Sequence, residues 1–293
     1  MSKFFKRHIY GDKKEDFSSQ SLPSNRKALF SYLIKTRLLR LVYINLLSFV
    51  FFIPLIAWLI VSGTYEQSFG DVYSEQVFQT YLYFILYTKA PLMIISYLIA
   101  FLGLSGTFYV VRLTCWNVPI KIGKGFLKGM KQSWMPFIVY GLFIGVYLSV
   151  FEVAYLLIFI GQYEIYLTIF LLSSLIISMV LILSIIIFSM TLSATYNIKL
   201  ISALKSGFKL TIRYFIKNIA IFLIAFTPSI IWFLLGNIWF LLIGTIIAMI
   251  FGVIYPVLII HLYTNSLFDY YINKDQYQDY FRKGLAPING VEK

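Results

Sequence analysis

The chain has 293 residues, of which 60% are hydrophobic, 19% aromatic and 13% charged, with a formal net charge of +13. A soluble domain carries about a quarter charged residues, so half that share, with a mean hydropathy of +0.81, excludes an ordinary soluble globule. One cysteine, Cys115, excludes an internal disulfide, and two histidines, His8 and His261, are too few for a structural zinc site with about four N or S ligands; no cofactor is expected.

Apolar runs of about 20 residues recur, each enough to cross a hydrocarbon core of ~30 Å as helix. The ~10-residue alternating segments of a β-barrel are missing. The expectation is an all-α, polytopic membrane helical bundle of six transmembrane helices. Residues 1–40 read as a basic N-terminal segment, loop-like at SSQSLPSN. They show no signal-peptide cleavage site, and Ser2 stands where myristoylation needs glycine. The first span covers residues 41–62. The outer linker, 63–90, is polar, acidic and tyrosine-rich. Its second half, QVFQTYLYFILYTKA, is too short to span and reads as an interfacial helix. Pro91 suits a first helical turn, so the second span covers 91–111. Further spans follow at 134–160, 166–194, 214–235 and 239–263, the last two joined by a tight turn at Gly236–Asn237. Residues 264–293 form a polar tail.

Charge sets the orientation. Ten Lys and Arg lie in residues 1–40, and five lie between the second and third spans. Five more lie around the start of the fifth span, and four lie in the tail. With six spans these 24 share one side, and Lys89 alone lies opposite. The positive-inside rule makes the rich side cytoplasmic, with both termini inside. Glu66, Asp71, Glu75 and Glu164 fall on the outer side.

Two basic stretches stand out. In the first, Lys121, Lys124, Lys128 and Lys131 recur at three, four and three residues, which puts them on one helix face. Ile122, Phe126, Met130 and Trp134 step along another. In the second, Lys205, Lys209, Arg213 and Lys217 step by four, roughly opposite Leu204, Phe208 and Phe215. Both read as basic amphipathic helices at the cytoplasmic interface, each leading into a span. A lysine near an anionic leaflet is worth ~1 kcal/mol, so lipid contact and topology explain such residues; a platform for a partner is the other reading. The LKGMK/LKSGFK echo fits a duplicated helix-plus-span unit.

Glu152 is the acidic residue well inside a predicted span, and an intramembrane carboxylate is a functional candidate by default. Asn45 suits either a hydrogen bond across helices or a binding role. His261 reads as an interface residue near the inner end of the last span. Pro54 and Pro228 sit mid-span, where broken helices mark the binding sites of some transporters. Aromatic residues at span ends (Tyr43, Trp58, Trp134, Tyr163, Trp239, Tyr263) read as interfacial belts. The GLSG at 103–106 permits close helix packing. GKGFLKG lacks the spacing and preceding strand of a phosphate-binding loop. No nucleophile–base pair or catalytic carboxylate pair is evident, and the expectation is a protein that is not an enzyme. Its basic charge faces a leaflet, so nucleic acid is not needed to explain it.

The segment LLRLVYINLLSFVFFIPLI, with Asn45 and Pro54, resembles the opening of the YesL-like family of bacterial membrane proteins. FLGLSGTFYVVRL (101–113) is similar to the family's second helix, with small residues before an aromatic and a closing basic residue. GFLKGMKQSWMPFIVYGLF (125–143) resembles its next conserved segment, with methionine and glutamine–serine replacing parts of that pattern. The tail YYINKDQYQDYFRKGLAP is similar to longer Gram-positive members, and the outer linker is longer than in short ones. The resemblance implies a multi-pass protein of the bacterial cell membrane whose relatives are often encoded beside sugar ABC importers. It assigns no catalytic residue. The expected role is a non-enzymatic accessory in carbohydrate uptake that docks on ABC importer subunits. The alternative is a self-contained transporter with a polar path through Asn45 and Glu152.

Overall fold

The computed structural model describes residues 22–69, 75–161, 163–196, 198–235, 244 and 246–286. Every regular element among them is helical. The first, α1 (Arg26–Gln67), starts at Asn25, whose Oδ1 accepts from the Ala28 N–H at 2.8 Å, a side-chain cap on an otherwise orphan donor. Its 42 residues make about 63 Å of helix, twice the core thickness. A kink at Arg37 (φ −130°, ψ 24°) divides the basic lead from the apolar run, close to the expected start of the first span. Pro54 lies within α1 and does not break it.

The outer linker departs from expectation. Helix α2 (Glu75–Phe84) is not a separate interfacial piece. It runs through a π turn, Ile85–Lys89, straight into α3 (Ala90–Cys115). Pro91 is the physical reason: it has no N–H and crowds the carbonyl four residues back, and the wider π turn accommodates it. The Ala90 N–H reaches back to Ile85 O, and the Lys89 carbonyl accepts from Trp58 Nε1 at 3.2 Å. The resulting Val77–Cys115 stretch has 39 residues.

The remaining elements are α4 (Ile122–Ile160), α5 (Ile165–Thr195), α6 (Leu200–Arg213), α7 (Phe215–Leu235), a π turn at Ala248–Gly252, α8 (Ile254–Phe268), a second π turn at Asp269–Asn273 and the short α9 (Lys274–Gln276). Five described stretches are long and apolar enough to cross a membrane. The pair α6–α7, bent by 96°, makes six where it counts as one span. The first basic stretch is the opening of α4, continuous with its span, whereas the second is divided by the bend at Tyr214: Lys205, Lys209 and Arg213 lie on α6, turned across the bundle end, and Lys217 lies beyond it on α7, so the expected single row is broken. Pro228 lies inside α7, which stays helical through it. The Gly236–Asn237 turn, Trp239, Asp71 and His8 lie outside the described residues.

Small residues set the spacing of α3 and α4. A Cβ on Gly129 would come within 2.4 Å of Tyr109 Cβ, and one on Gly106 within 2.9 Å of Phe126 O, so close approach depends on hydrogen at both places. The tail is folded at least as far as residue 286. Ala286 N–H bonds Pro23 O at 3.0 Å, and Gly284 (φ +84°) seats against Cys115 O. Tyr280 packs on Trp116 at 4.8 Å between ring centroids. Tyr196 donates to Asn273 Oδ1; burial, then the Asp269 carboxylate, push its phenol above the ordinary range. Residues 23–26, 115–117, 196 and 264–286 thus meet at one end of the bundle, as an even number of crossings requires. Single cysteines in a Cys115→Ala background test its sidedness. A membrane-impermeant maleimide on intact cells is expected to label Tyr163→Cys and to leave Lys124→Cys unlabelled until the membrane is opened; the reverse pattern inverts the topology.

Candidate functional site

At the outer end, three helical segments meet on one lysine. Lys89, the last residue of the π turn, is buried and pairs with both Glu66 Oε1 and Glu152 Oε1. Glu66 comes from the last turns of α1 and Glu152 from α4, so the ammonium ties α1, α3 and α4 together. The carboxylate side chains are 24% and 29% exposed, placing the cluster at the rim of the apolar region, where ion pairs are weakly screened. Beside it, Trp58, Ser62, Tyr65, Phe84 and Thr88 line an open cavity of about 260 Å³. Glu152 was readable as a candidate from sequence. Its partner was not, although Lys89 was the lone basic residue of its side.

Asn45 lies 21 residues before Glu66 on α1, about 31 Å along the helix, and answers a different need. The last span is broken by the π turn Ala248–Gly252. In an unbroken α-helix the Val253 N–H would bond Met249 O. Here Val253 and Ile254 N–H both donate to Asn45 Oδ1, at 2.9 and 2.8 Å. Asn45 Nδ2 in turn donates to Met249 O at 2.8 Å and Ala248 O at 3.3 Å. One buried amide therefore completes a severed backbone ladder. Asn45 and Glu152 do not come together: each is held by its own internal partners, so the expected polar path through both is not assembled.

The basic end holds buried arginines inside what reads in sequence as a solvated lead. Arg26 clamps Asp269 Oδ2 through Nε at 3.1 Å and a terminal nitrogen at 2.8 Å. Asp269 Oδ1 accepts from Asn273 Nδ2 and the Arg282 N–H. Arg112 donates to the last carbonyls of α5, at Ala194 and Thr195, where orphan acceptors and the helix dipole favour a cation; its guanidinium also stacks over Tyr109 and Trp116. Arg40 is 2% exposed, and its Nε and one terminal nitrogen have no hydrogen-bond partner. His261 is not at the interface as expected. It is fully buried, edge-on to Phe108, because the α8 stripe Ile254, Val257, Leu258, His261 and Asn265 faces the bundle.

The other predicted residues lie on the outside of the same end. Lys121, Lys124, Lys128 and Lys131 are exposed, as are Lys205, Lys209, Arg213 and Lys217. Arg213 stacks over Tyr271 and Lys217 over Tyr214, so the second row is partly held by aromatic rings. None of the eight forms an ion pair among the described residues. Among those residues, too, no group of three His, Cys, Asp or Glu is arranged to hold a metal. Compared with known proteins, the chain matches no family model, no curated protein and no solved structure.

Three substitutions separate the structural centres. Lys89→Met leaves two carboxylates without their cation and is expected to cost about 3 kcal/mol. Glu152→Gln keeps Glu66 on Lys89 and is expected to cost less; a thermal melt with the opposite ranking would remove Lys89 from the centre of the cluster. Asn45→Leu keeps the side chain's volume but strands two N–H and two C=O groups. A loss of about 3 kcal/mol or more is expected, and a wild-type melting temperature would show that the broken span closes without it.

Proposed function

We propose that this protein is a non-enzymatic docking scaffold of the bacterial cell membrane, holding an acidic cytosolic partner against its basic end. The observation that carries this reading is the exposed double row of cations, Lys121–Lys131 and Lys205–Lys217, none of which is ion-paired among the described residues. Charge of one sign on a fixed surface steers and orients an oppositely charged partner. The resemblance to YesL-like proteins makes subunits of a sugar ABC importer the partner of first choice. A self-contained transporter is less well supported, since Asn45 and Glu152 are each taken up by internal bonds at separate levels.

The test is a cross-linking pull-down from native membranes. Reversing Lys124, Lys128, Lys205 and Lys209 to glutamate is expected to cut partner recovery by at least about tenfold while insertion stays normal. The same partner at wild-type yield would defeat docking. For the transporter reading, uptake by purified protein in liposomes that is sensitive to Glu152→Gln is the required result.

A further inference from the structure

The junction of α4, α5 and α6 carries a second feature, which does not rest on the docking reading. Between α4 and α5, near the basic end, runs an open groove of about 110 Å³. Val139 and Phe143 line one wall, Ile182 and Ile185 the other, and Leu204 of α6 closes it toward the basic end. Tyr140 lends only its ring, because its hydroxyl is bonded to Ser193 Oγ at 2.8 Å. The groove surface is therefore apolar.

Its mouth is not. Leu204 is followed by exposed Lys205. On α4, Val139, Met135, Gln132 and Lys128 follow one another at four, three and four residues toward the basic end, one continuous stripe of helix surface. Along that stripe the chemistry passes from aliphatic to thioether to amide to ammonium over about 16 Å. Lys128, Gln132, Met135 and Lys205 are all exposed. The bend between α6 and α7 turns α6 across this end. Its packed face (Ala203, Gly207, Leu210) meets the bundle, and it presents Ile201, Phe208 and Ile212 beside Lys205 and Lys209. An apolar stripe flanked by cations is the surface of a helix lying in a headgroup layer.

We infer that this junction is a binding site for one anionic phospholipid of the basic-end leaflet. An acyl chain lies in the groove between α4 and α5, and the phosphodiester is held by Lys205 and Lys128. The polarity gradient of the protein surface matches that of the lipid, from chain to charged head. A zwitterionic lipid fits the groove but sets its own cation against the two lysines, so selection falls on net negative headgroups.

The full chain is reconstituted in vesicles of equal phosphatidylglycerol and phosphatidylcholine, extracted in mild detergent and assayed for retained lipid. Wild type is expected to retain phosphatidylglycerol over phosphatidylcholine by about fivefold or more. Lys128→Gln with Lys205→Gln is expected to bring that ratio near unity. Ile182→Trp, which fills the groove and alters no charge, is expected to lower retention of both lipids. Equal retention of the two lipids by wild type would overturn the inference without any variant. So would unchanged retention by Ile182→Trp, with Val139→Phe standing in where the tryptophan variant does not insert. Because Ile182→Trp leaves the lysine rows intact, its outcome is separate from the fate of the docking reading.

Discussion

A polypeptide in hydrocarbon must satisfy its backbone internally, and Asn45 is where this chain meets that demand most directly. The last span is interrupted at Ala248–Gly252, and the freed N–H and C=O groups would each be left in an apolar medium. A single amide has two donors and two acceptor lone pairs, the complement of what the break leaves open. The bond pattern welds α1 to the broken span, and the rest of the bundle packs around that pair. Ser48 and Thr107, 2.6 Å apart, extend the same logic to α3 one turn further along.

The two ends of the bundle are built on different electrostatics. The outer end is closed by one lysine shared between two carboxylates. The basic end is closed by a folded tail that the Arg26–Asp269 pair anchors to the start of α1. Arg112 answers a helix C-terminus rather than an acid. The cations that define the end are thereby divided. Buried ones hold the structure, while the cation rows at the start of α4 and across the α6–α7 bend stay exposed on the outside. That division is what makes a surface role reasonable: the exposed charges are not needed to keep the bundle together.

The bend at Tyr214 gives α6 its character. Its partner sequence at the start of α4 continues straight into a span, because Gly125, Gly129 and Ser133 keep it packed along α3. The α6 helix instead seats Gly207 on Ser189 of α5 and lies across the end. Two stretches with similar sequence thus present their lysines differently, one row rising from the end of the bundle and the other lying at the interface.

Composition and the length of the apolar runs determined the fold class, because a bilayer admits few spanning structures and a continuous helix is legible residue by residue. The alternating charge counts likewise separated the two ends, and exposure of the lysine rows followed from their spacing. Breaks were less legible. Pro54 and Pro228 mark no break, whereas Arg37 and Ala248–Gly252 do, the latter completed by Asn45 from another helix; the π turn at Ile85–Lys89 answers to Pro91, which in sequence reads as a first-turn residue. Glu152 could be picked out as an acid inside a predicted span, but its pairing with Lys89 and Glu66 depends on three helices converging over 87 residues of chain. The same holds for Arg26 on Asp269 and Asn45 on Val253, each separated by more than 200 residues. Spacing along one helix reveals a face; which face meets which is decided only when the helices pack.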